Sequence, residues 1–272
     1  MFEEYAAHRK SKRGHEEIGW LLLGYRGTNT ATVVATLPAG ALRDAGETHI
    51  AFHSDAQAVA ARMLRQEDRR LTILGVVHTH PGTMRSPSYD DYRGDRNWVA
   101  NLRGGEGVFA IGTVASECHA RTSTIAEQPA ENVQQYAGLQ FNWYALAEDD
   151  ARYRRLPVEL TIGPDLGLLA RQVWQEVERY ATRLEQLSRR FAQVKFQIGW
   201  IGERPALSLD IGLGNGCEAI QVVMQGDQTR WLGISPDGAT TLFELPPGTA
   251  PDQGVYMILA ELASRELLES ER

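Results

Sequence analysis

The sequence predicts an α/β (α+β) fold, in which one mixed sheet flanked by helices is followed by a smaller α+β domain. Three observations carry this expectation. Short aliphatic runs of strand length recur through the N-terminal half. Segments of helical period separate some of them. After Leu156-Pro157-Val158 the pattern restarts with a long amphipathic segment, a series of short strands and a closing helix. The expected division is therefore a first domain over residues 1–160 and a C-terminal α+β domain of unknown role over residues 161–272.

Taken in order, Phe2 to Arg13 reads as a helix. Ile18 to Gly24 reads as a buried strand, Thr30 to Leu37 as a β-rich partner, and His49 to Phe52 as a short strand. Ser54-Asp55 offers an N-cap for a helix through Val59, Ala60, Met63 and Leu64. Leu71 to Val77 is an aliphatic run expected of a strand covered on both faces. Pro87-Ser88 starts a helix through Trp98 and Leu102, and Val108–Val114 and Leu139–Leu146 are further strands. From Ala115 to Gly138 no period stands out, so an irregular insertion is expected there. Beyond Gly163-Pro164-Asp165 a single long helix is expected, with Leu169, Val173, Val177, Leu184, Leu187 and Phe191 on its apolar face. Its other face, with Arg171, Glu178, Arg179, Arg183 and Glu185, reads as solvated. Strands over 196–201, 206–213, 219–224, 230–234 and 241–245 follow, and Val255 to Leu268 closes the chain as a helix. The run Gly212-Leu213-Gly214-Asn215-Gly216 lacks the Lys-Ser/Thr of a phosphate loop and is read as a hairpin turn.

Bulk properties exclude several function classes. A formal net charge of -7 leaves no basic excess to neutralise phosphates, so a nucleic-acid partner is not expected. The acidic start, Met1-Phe2-Glu3-Glu4, is not a secretory n-region, and no apolar run is long enough to span a bilayer. Two distant cysteines, Cys118 and Cys217, suit a reducing compartment. A cytoplasmic protein without a membrane partner is the expectation.

The chemistry concentrates in Gly75-Val76-Val77-His78-Thr79-His80-Pro81, continuing to Ser88-Tyr89-Asp90-Asp91. His78 and His80 stand two apart at the end of a strand, so alternation sends both imidazoles to one face. Pro81 cannot donate to a ladder and stops the strand. Ser88 is a natural N-cap, which puts Asp91 in the first turn of the next helix. Two imidazoles and one carboxylate make a three-ligand zinc site with a position left open, the donor set of a catalytic zinc. Each piece also has an ordinary explanation: His-x-His arises by chance, and Ser88-x-x-Asp91 can be a capping box alone. The order of strand, proline stop and capped carboxylate favours the metal site.

His78-Thr79-His80-Pro81, six residues, then Ser88-x-x-Asp91 resembles the signature of the JAMM (MPN-plus) zinc metallopeptidases, of the prokaryotic type. The family carries an upstream glutamate at the head of a strand. Aligned on Gly24 of Glu17-Ile18-Gly19-Trp20-Leu21-Leu22-Leu23-Gly24, that glutamate is Glu17; aligned on Gly19 it is Glu16. Glu17 is preferred because it keeps the aliphatic strand in register, although Trp20 then stands where the family has a glycine. The resemblance covers residues 1–160. It implies the cytidine-deaminase-like mixed sheet of MPN domains, with Zn2+ held by His78, His80 and Asp91. It also implies a zinc-activated water, with Glu17 as general base and Ser88 as oxyanion donor. The implied reaction is deubiquitinase-like: hydrolysis of the peptide or isopeptide bond at the C-terminus of a ubiquitin or ubiquitin-like protein, with E1/E2-like enzymes as further partners. A catalytically silent MPN scaffold that binds such partners is the alternative. An amidohydrolase barrel would need histidines further downstream, and the last one here is His119. Cys118 and His119 are adjacent, poor geometry for a second metal.

Overall fold

The computed structural model describes residues 1–41, 44–46, 50, 52, 54–115, 126–213 and 219–270, with backbone alone over 266–270. The chain forms two compact units: residues 1–57 with 68–167, and residues 58–67 with 168–272.

The first unit is built on a mixed sheet. Its strands are β1 (Gly19–Arg26), β2 (Ala31–Pro38), β3 (Thr72–Thr79), β4 (Glu106–Val114), β5 (Glu127–Ala130), β6 (Val133–Tyr136), β7 (Leu139–Ala147) and β8 (Arg154–Arg155). The order is β2-β1-β3-β4-β7-β6-β5, with β8 added beside β7. Only β3 and β4 run parallel; every other pair is antiparallel. The connection between those two carries helix α3 (Tyr89–Val99). A crossover of this kind leaves a crevice at the carboxyl end of the first parallel strand, where ligand sites of open α/β sheets lie. The β3–β4 approach is close: a Cβ on Gly75 would stand 1.6 Å from the Val108 carbonyl oxygen, so no larger residue fits there.

One face of this sheet is apolar. Trp20, Leu22, Leu74, Val77, Ala110, Phe141 and Trp143 are buried in one cluster with Tyr5 of helix α1 (Phe2–Arg9). Helix α1 ends four residues earlier than its charge pattern predicts, at Arg9 rather than Arg13. Trp20 is 1% exposed; its ring packs edge-on against Phe141, and its indole N–H donates to Glu4. The side chain that stands in place of a glycine is thus covered by α1. Period-two alternation sends His78 to the face opposite Val77.

The expected irregular stretch from Ala115 to Gly138 is in part regular. β5 and β6 form an antiparallel hairpin, and β6 pairs along β7. The sequence hid it because β5, Glu-Gln-Pro-Ala, is an exposed edge strand with no apolar face, where proline is tolerated. Residues 116–125, with Cys118 and His119, lie outside the described residues, as do His49, His53 and Cys217. Of the expected strand over 49–52, the structure describes an isolated bridge between Ala45 and Ile50.

The second unit takes Ala58–Glu67 from helix α2 (Asp55–Glu67), which Ser54 caps through a bond from the Gln57 N–H. Its sheet is an antiparallel meander, β9 (Val194–Ile201), β10 (Arg204–Gly212), β11 (Ala219–Gln225), β12 (Gln228–Ile234) and β13 (Thr240–Phe243). Residues 214–218, on which part of the expected hairpin turn falls, lie outside the described residues; the strands on either side pair directly, Gly212 opposite Ala219. The expected single long helix is two: α4 (Gly167–Gln172) and α5 (Trp174–Arg190), broken at Val173, whose φ of -110° is not helical. Leu169 is consequently 53% exposed and off the apolar face. Glu185 is not solvated either: it is buried, accepting from Arg62 at 3.1 Å and from Arg189 at 2.9 Å. Glu176 is buried likewise, accepting from the Gly226 N–H at 2.8 Å. Helix α6 (Pro251–Ser270) packs on α5, β11 and β12. Among the described residues no helix is long and apolar enough to cross a membrane.

Candidate metal centre

The site is assembled from three pieces of backbone in the first unit. β3 delivers His78, and His80 stands just past its end, both 5% exposed. The residue between them, Thr79, faces away and pins the neighbouring strand. Its N–H donates to the Ile18 carbonyl at 2.9 Å, and its hydroxyl accepts from the Ile18 N–H at 3.0 Å. That clasp sets Glu17, 3% exposed, at the head of β1 beside the histidines. The Glu17 N–H donates to the Gly46 carbonyl at 2.7 Å, and the His8 ring donates to the Glu16 carbonyl at 2.9 Å, so the approach to β1 is held from two directions. Ligand atoms of Glu17, His78 and His80 lie within 4.8 Å of one another. Glu16, the other register, turns to Arg13, whose Nε donates to it at 2.6 Å.

Helix α3 supplies the second carboxylate. Ser88 caps it: the Ser88 Oγ accepts from the Asp91 N–H at 3.1 Å, and an Asp91 oxygen accepts from the Ser88 N–H at 2.5 Å. This reciprocal box fixes the Asp91 side chain at the helix entrance. Its two oxygens then face the histidines, Oδ1 at 3.1 Å from His78 Nε2 and Oδ2 at 3.3 Å from His80 Nε2. The two Nε2 atoms are 3.2 Å apart.

These separations test the fit of a metal. Donors about 2.0–2.1 Å from one tetrahedral zinc stand about 3.3–3.4 Å from each other. The two ring nitrogens stand 3.2 Å apart, close to that spacing, and Asp91 closes a triangle of residues with a separate oxygen on each, Oδ1 at 3.1 Å from His78 and Oδ2 at 3.3 Å from His80. The tautomer agrees. His80 Nδ1 lies 3.1 Å from the Met84 carbonyl oxygen, which can only accept, so the proton belongs on Nδ1. In the neutral ring Nε2 is then a lone pair aimed at His78 and Asp91, as metal-binding histidines are arranged. The residues fit a divalent cation held by two imidazoles and a carboxylate.

Charge tells the same story. Burial drives the His78 pKa down, but the hydrogen-bonded Asp91, with the charges of Glu17 and Asp95, carries it above the ordinary histidine value. Burial pushes the Asp91 carboxyl up, and the His78 hydrogen bond and charge with the Ser88 N–H outweigh that, holding it far below the usual carboxylate range. The partly buried Asp91 carboxylate between two imidazoles favours a positive charge there, which a bound cation would supply.

Three further side chains belong to the surroundings and went unread in the sequence. Asp95 lies one turn beyond Asp91 on α3, and burial pushes its carboxyl up to about 6. The Tyr153 hydroxyl donates to Asp95 at 2.6 Å, and burial together with Asp95 raises the pKa of that hydroxyl. The Tyr144 hydroxyl donates to the Arg85 carbonyl at 2.9 Å, within the loop between His80 and Ser88. Asp95 had one weak sequence signal, its spacing of four from Asp91; the tyrosines had none.

A search of curated proteins finds no match to this chain. A family comparison matches residues 1–124, the stretch holding Glu17, His78, His80, Ser88 and Asp91, to the prokaryotic homologs of the JAB domain. Residues 1–124 are thus similar to the JAB (JAMM/MPN) family, a likeness that spans less than half of the chain.

Proposed function

We propose that the first unit is a zinc-dependent hydrolase of the JAMM type, acting on a peptide or isopeptide bond. The observation that carries this reading is the convergence of His78 Nε2 and His80 Nε2, 3.2 Å apart, on the Asp91 carboxylate, which sets one oxygen against each at 3.1 and 3.3 Å. Glu17, His78 and His80 can also be grouped as a ligand set. Asp91 is taken as the third ligand because its two oxygens each face a ring nitrogen, at 3.1 and 3.3 Å, in the arrangement the His-x-His and Ser-x-x-Asp motifs imply. That leaves Glu17 as a second, buried carboxylate beside the site.

A zinc ion held there would polarise a carbonyl and make an adjacent water acidic enough to attack near neutral pH. Glu17 would accept a proton from the attacking water and return it to the departing amine. The Ser88 hydroxyl donates to the oxygen of the tetrahedral intermediate. Capping does not compete with this, since the cap uses a lone pair of Oγ and leaves its O–H free to donate. The His80–Met84 bond keeps the ring in the tautomer the site needs.

The substrate class, the C-terminus of a ubiquitin-like protein or its conjugate, is supported by the likeness to JAMM enzymes alone, as are E1/E2-like partners. A silent scaffold of the same fold would have no use for a complete donor set. The deciding experiment is elemental analysis of purified protein, followed by assay on a ubiquitin-like protein carrying a C-terminal extension. About one zinc per chain, with cleavage abolished by a chelator and restored by zinc, is expected. Wild-type zinc content in a His78→Ala/His80→Ala variant would sink the assignment. Bound zinc without cleavage would favour the scaffold.

A further inference from the structure

Helix α3 carries Asp91, yet its sequence, Tyr-Asp-Asp-Tyr-Arg-Gly-Asp-Arg-Asn-Trp-Val, gives it little to bury. Val99, at its far end, is its only fully buried residue. Gly94 in its middle costs about 1 kcal/mol against alanine. A metal ligand nevertheless needs placement to about 0.5 Å. Apolar packing alone does not supply that precision at the Asp91 end, so specific tethers must.

The structure has them. Tyr153, from the segment after β7, donates to Asp95 Oδ2 at 2.6 Å. Asp95 lies four residues after Asp91, so both project from one side of the helix. The Tyr153 ring is itself wedged among Phe109 of β4, Tyr144 of β7 and Tyr92 of α3, with centroids 5.7, 6.0 and 6.1 Å away. Tyr92 ties α3 back to the same segment through a 3.0 Å bond to the Asp150 carbonyl. A partly buried carboxylate such as Asp95 gives up hydration that its hydrogen bond must offset. An apolar residue would pack there without that cost, but it could not fix the helix axially by a short directional bond.

We propose that Tyr153 is a positioning residue: its hydrogen bond to Asp95 locks α3 against β4 and β7 so that Asp91 closes the metal triangle. This rests on the metal-site reading above. Its role is mechanical. The acceptor oxygen matters, and the charge on Asp95 does not.

The test uses the full chain stripped of metal and titrated with cobalt(II) chloride, whose visible absorption reports both affinity and coordination geometry. Tyr153→Phe keeps the ring in its aromatic nest and removes only the donor. Loss of an outer-shell partner typically weakens metal binding by about 10- to 100-fold. A loss of that size is expected, with a changed cobalt band as the triangle loosens. Asp95→Asn keeps an acceptor for the hydroxyl and should bind within about threefold of wild type. Asp95→Ala should behave like Tyr153→Phe, and it carries the comparison if Tyr153→Phe does not fold. Wild-type affinity and spectrum in Tyr153→Phe, even with a lowered melting temperature, would overturn the tether. So would an Asp95→Asn variant as weak as Asp95→Ala, which would make the charge the active element. Wild-type protein that binds no cobalt would overturn the metal reading and the tether together.

Discussion

Replacing Ser88 with alanine separates two roles that the structure superimposes on one hydroxyl. As a cap, Ser88 Oγ accepts a single bond, from the Asp91 N–H at 3.1 Å. Losing an N-cap of this kind costs about 1 kcal/mol. The other half of the box survives, because the Ser88 N–H that donates to Asp91 at 2.5 Å belongs to the backbone. For a unit of this size 1 kcal/mol lowers the melting temperature by about 2–4 °C. As an oxyanion donor the same hydroxyl is worth about a hundredfold or more in turnover, roughly 3 kcal/mol that appears only in the transition state. The two roles therefore separate cleanly: a small loss of stability, a large loss of kcat, and zinc retained. Melting temperature, zinc content and kcat/KM on a ubiquitin-like precursor measure the three, and Ser88→Thr should recover part of the turnover by restoring the hydroxyl. A Ser88→Ala protein that melts lower but turns over normally would reduce the residue to a cap. One that loses its zinc would show that Ser88 acts through the placement of Asp91.

Glu17→Gln should retain zinc and lose about a hundred- to ten-thousand-fold in turnover, the usual contribution of a general base; Glu16→Gln, whose carboxylate faces Arg13, should leave cleavage intact. Asp95→Asn should alter the pH profile of stability in metal-free protein. Burial raises the Asp95 carboxyl to about 6, so its stabilising contribution is complete below its unfolded value near 4 and lost as pH rises through about 6. The variant should therefore gain on wild type between pH 4 and 7, by at most about 3 kcal/mol, and urea midpoints that stay parallel across that range would refute it. In the second unit, Glu185→Ala leaves Arg62 and Arg189 without their shared acceptor; a loss of about 1.5–3 kcal/mol per charged hydrogen bond is expected by denaturant melt, and a neutral result would show that solvent serves both arginines as well.

What the sequence disclosed of the candidate site is what local geometry can encode. His78 and His80 share a face because a strand has period two, and Ser88 meets Asp91 because a cap reaches its third residue. The preference for Glu17 over Glu16 rests on the aliphatic register of Ile18 to Gly24, and in the structure Glu17 lies with His78 and His80 while Glu16 meets Arg13. Each of these inferences spans a few residues or one ladder. The features that stayed hidden are pairings across distance. Asp95 looked like any solvated helix acid until Tyr153, 58 positions on, was brought to it. Glu185 looked solvated until Arg62, 123 positions back, met it. The break at Val173 went unseen because its apolar spacing suits either a continuous or an interrupted helix, and the hairpin of β5 and β6 because an exposed edge carries no alternation.

This difference has a physical source. A ligand set must be compact, and strand ends and helix entrances are where a short stretch of chain can bring several donors together. Holding that set still is a different problem. It requires anchors on elements that do not move with it, and for α3 those are β4, β7 and the segment after β7, reached only once the sheet has closed. The donors therefore cluster in the sequence and their supports scatter. Substitutions at the supports, Tyr153 and Tyr144 first among them, should change how tightly and in what geometry the site holds its metal without changing which residues bind it.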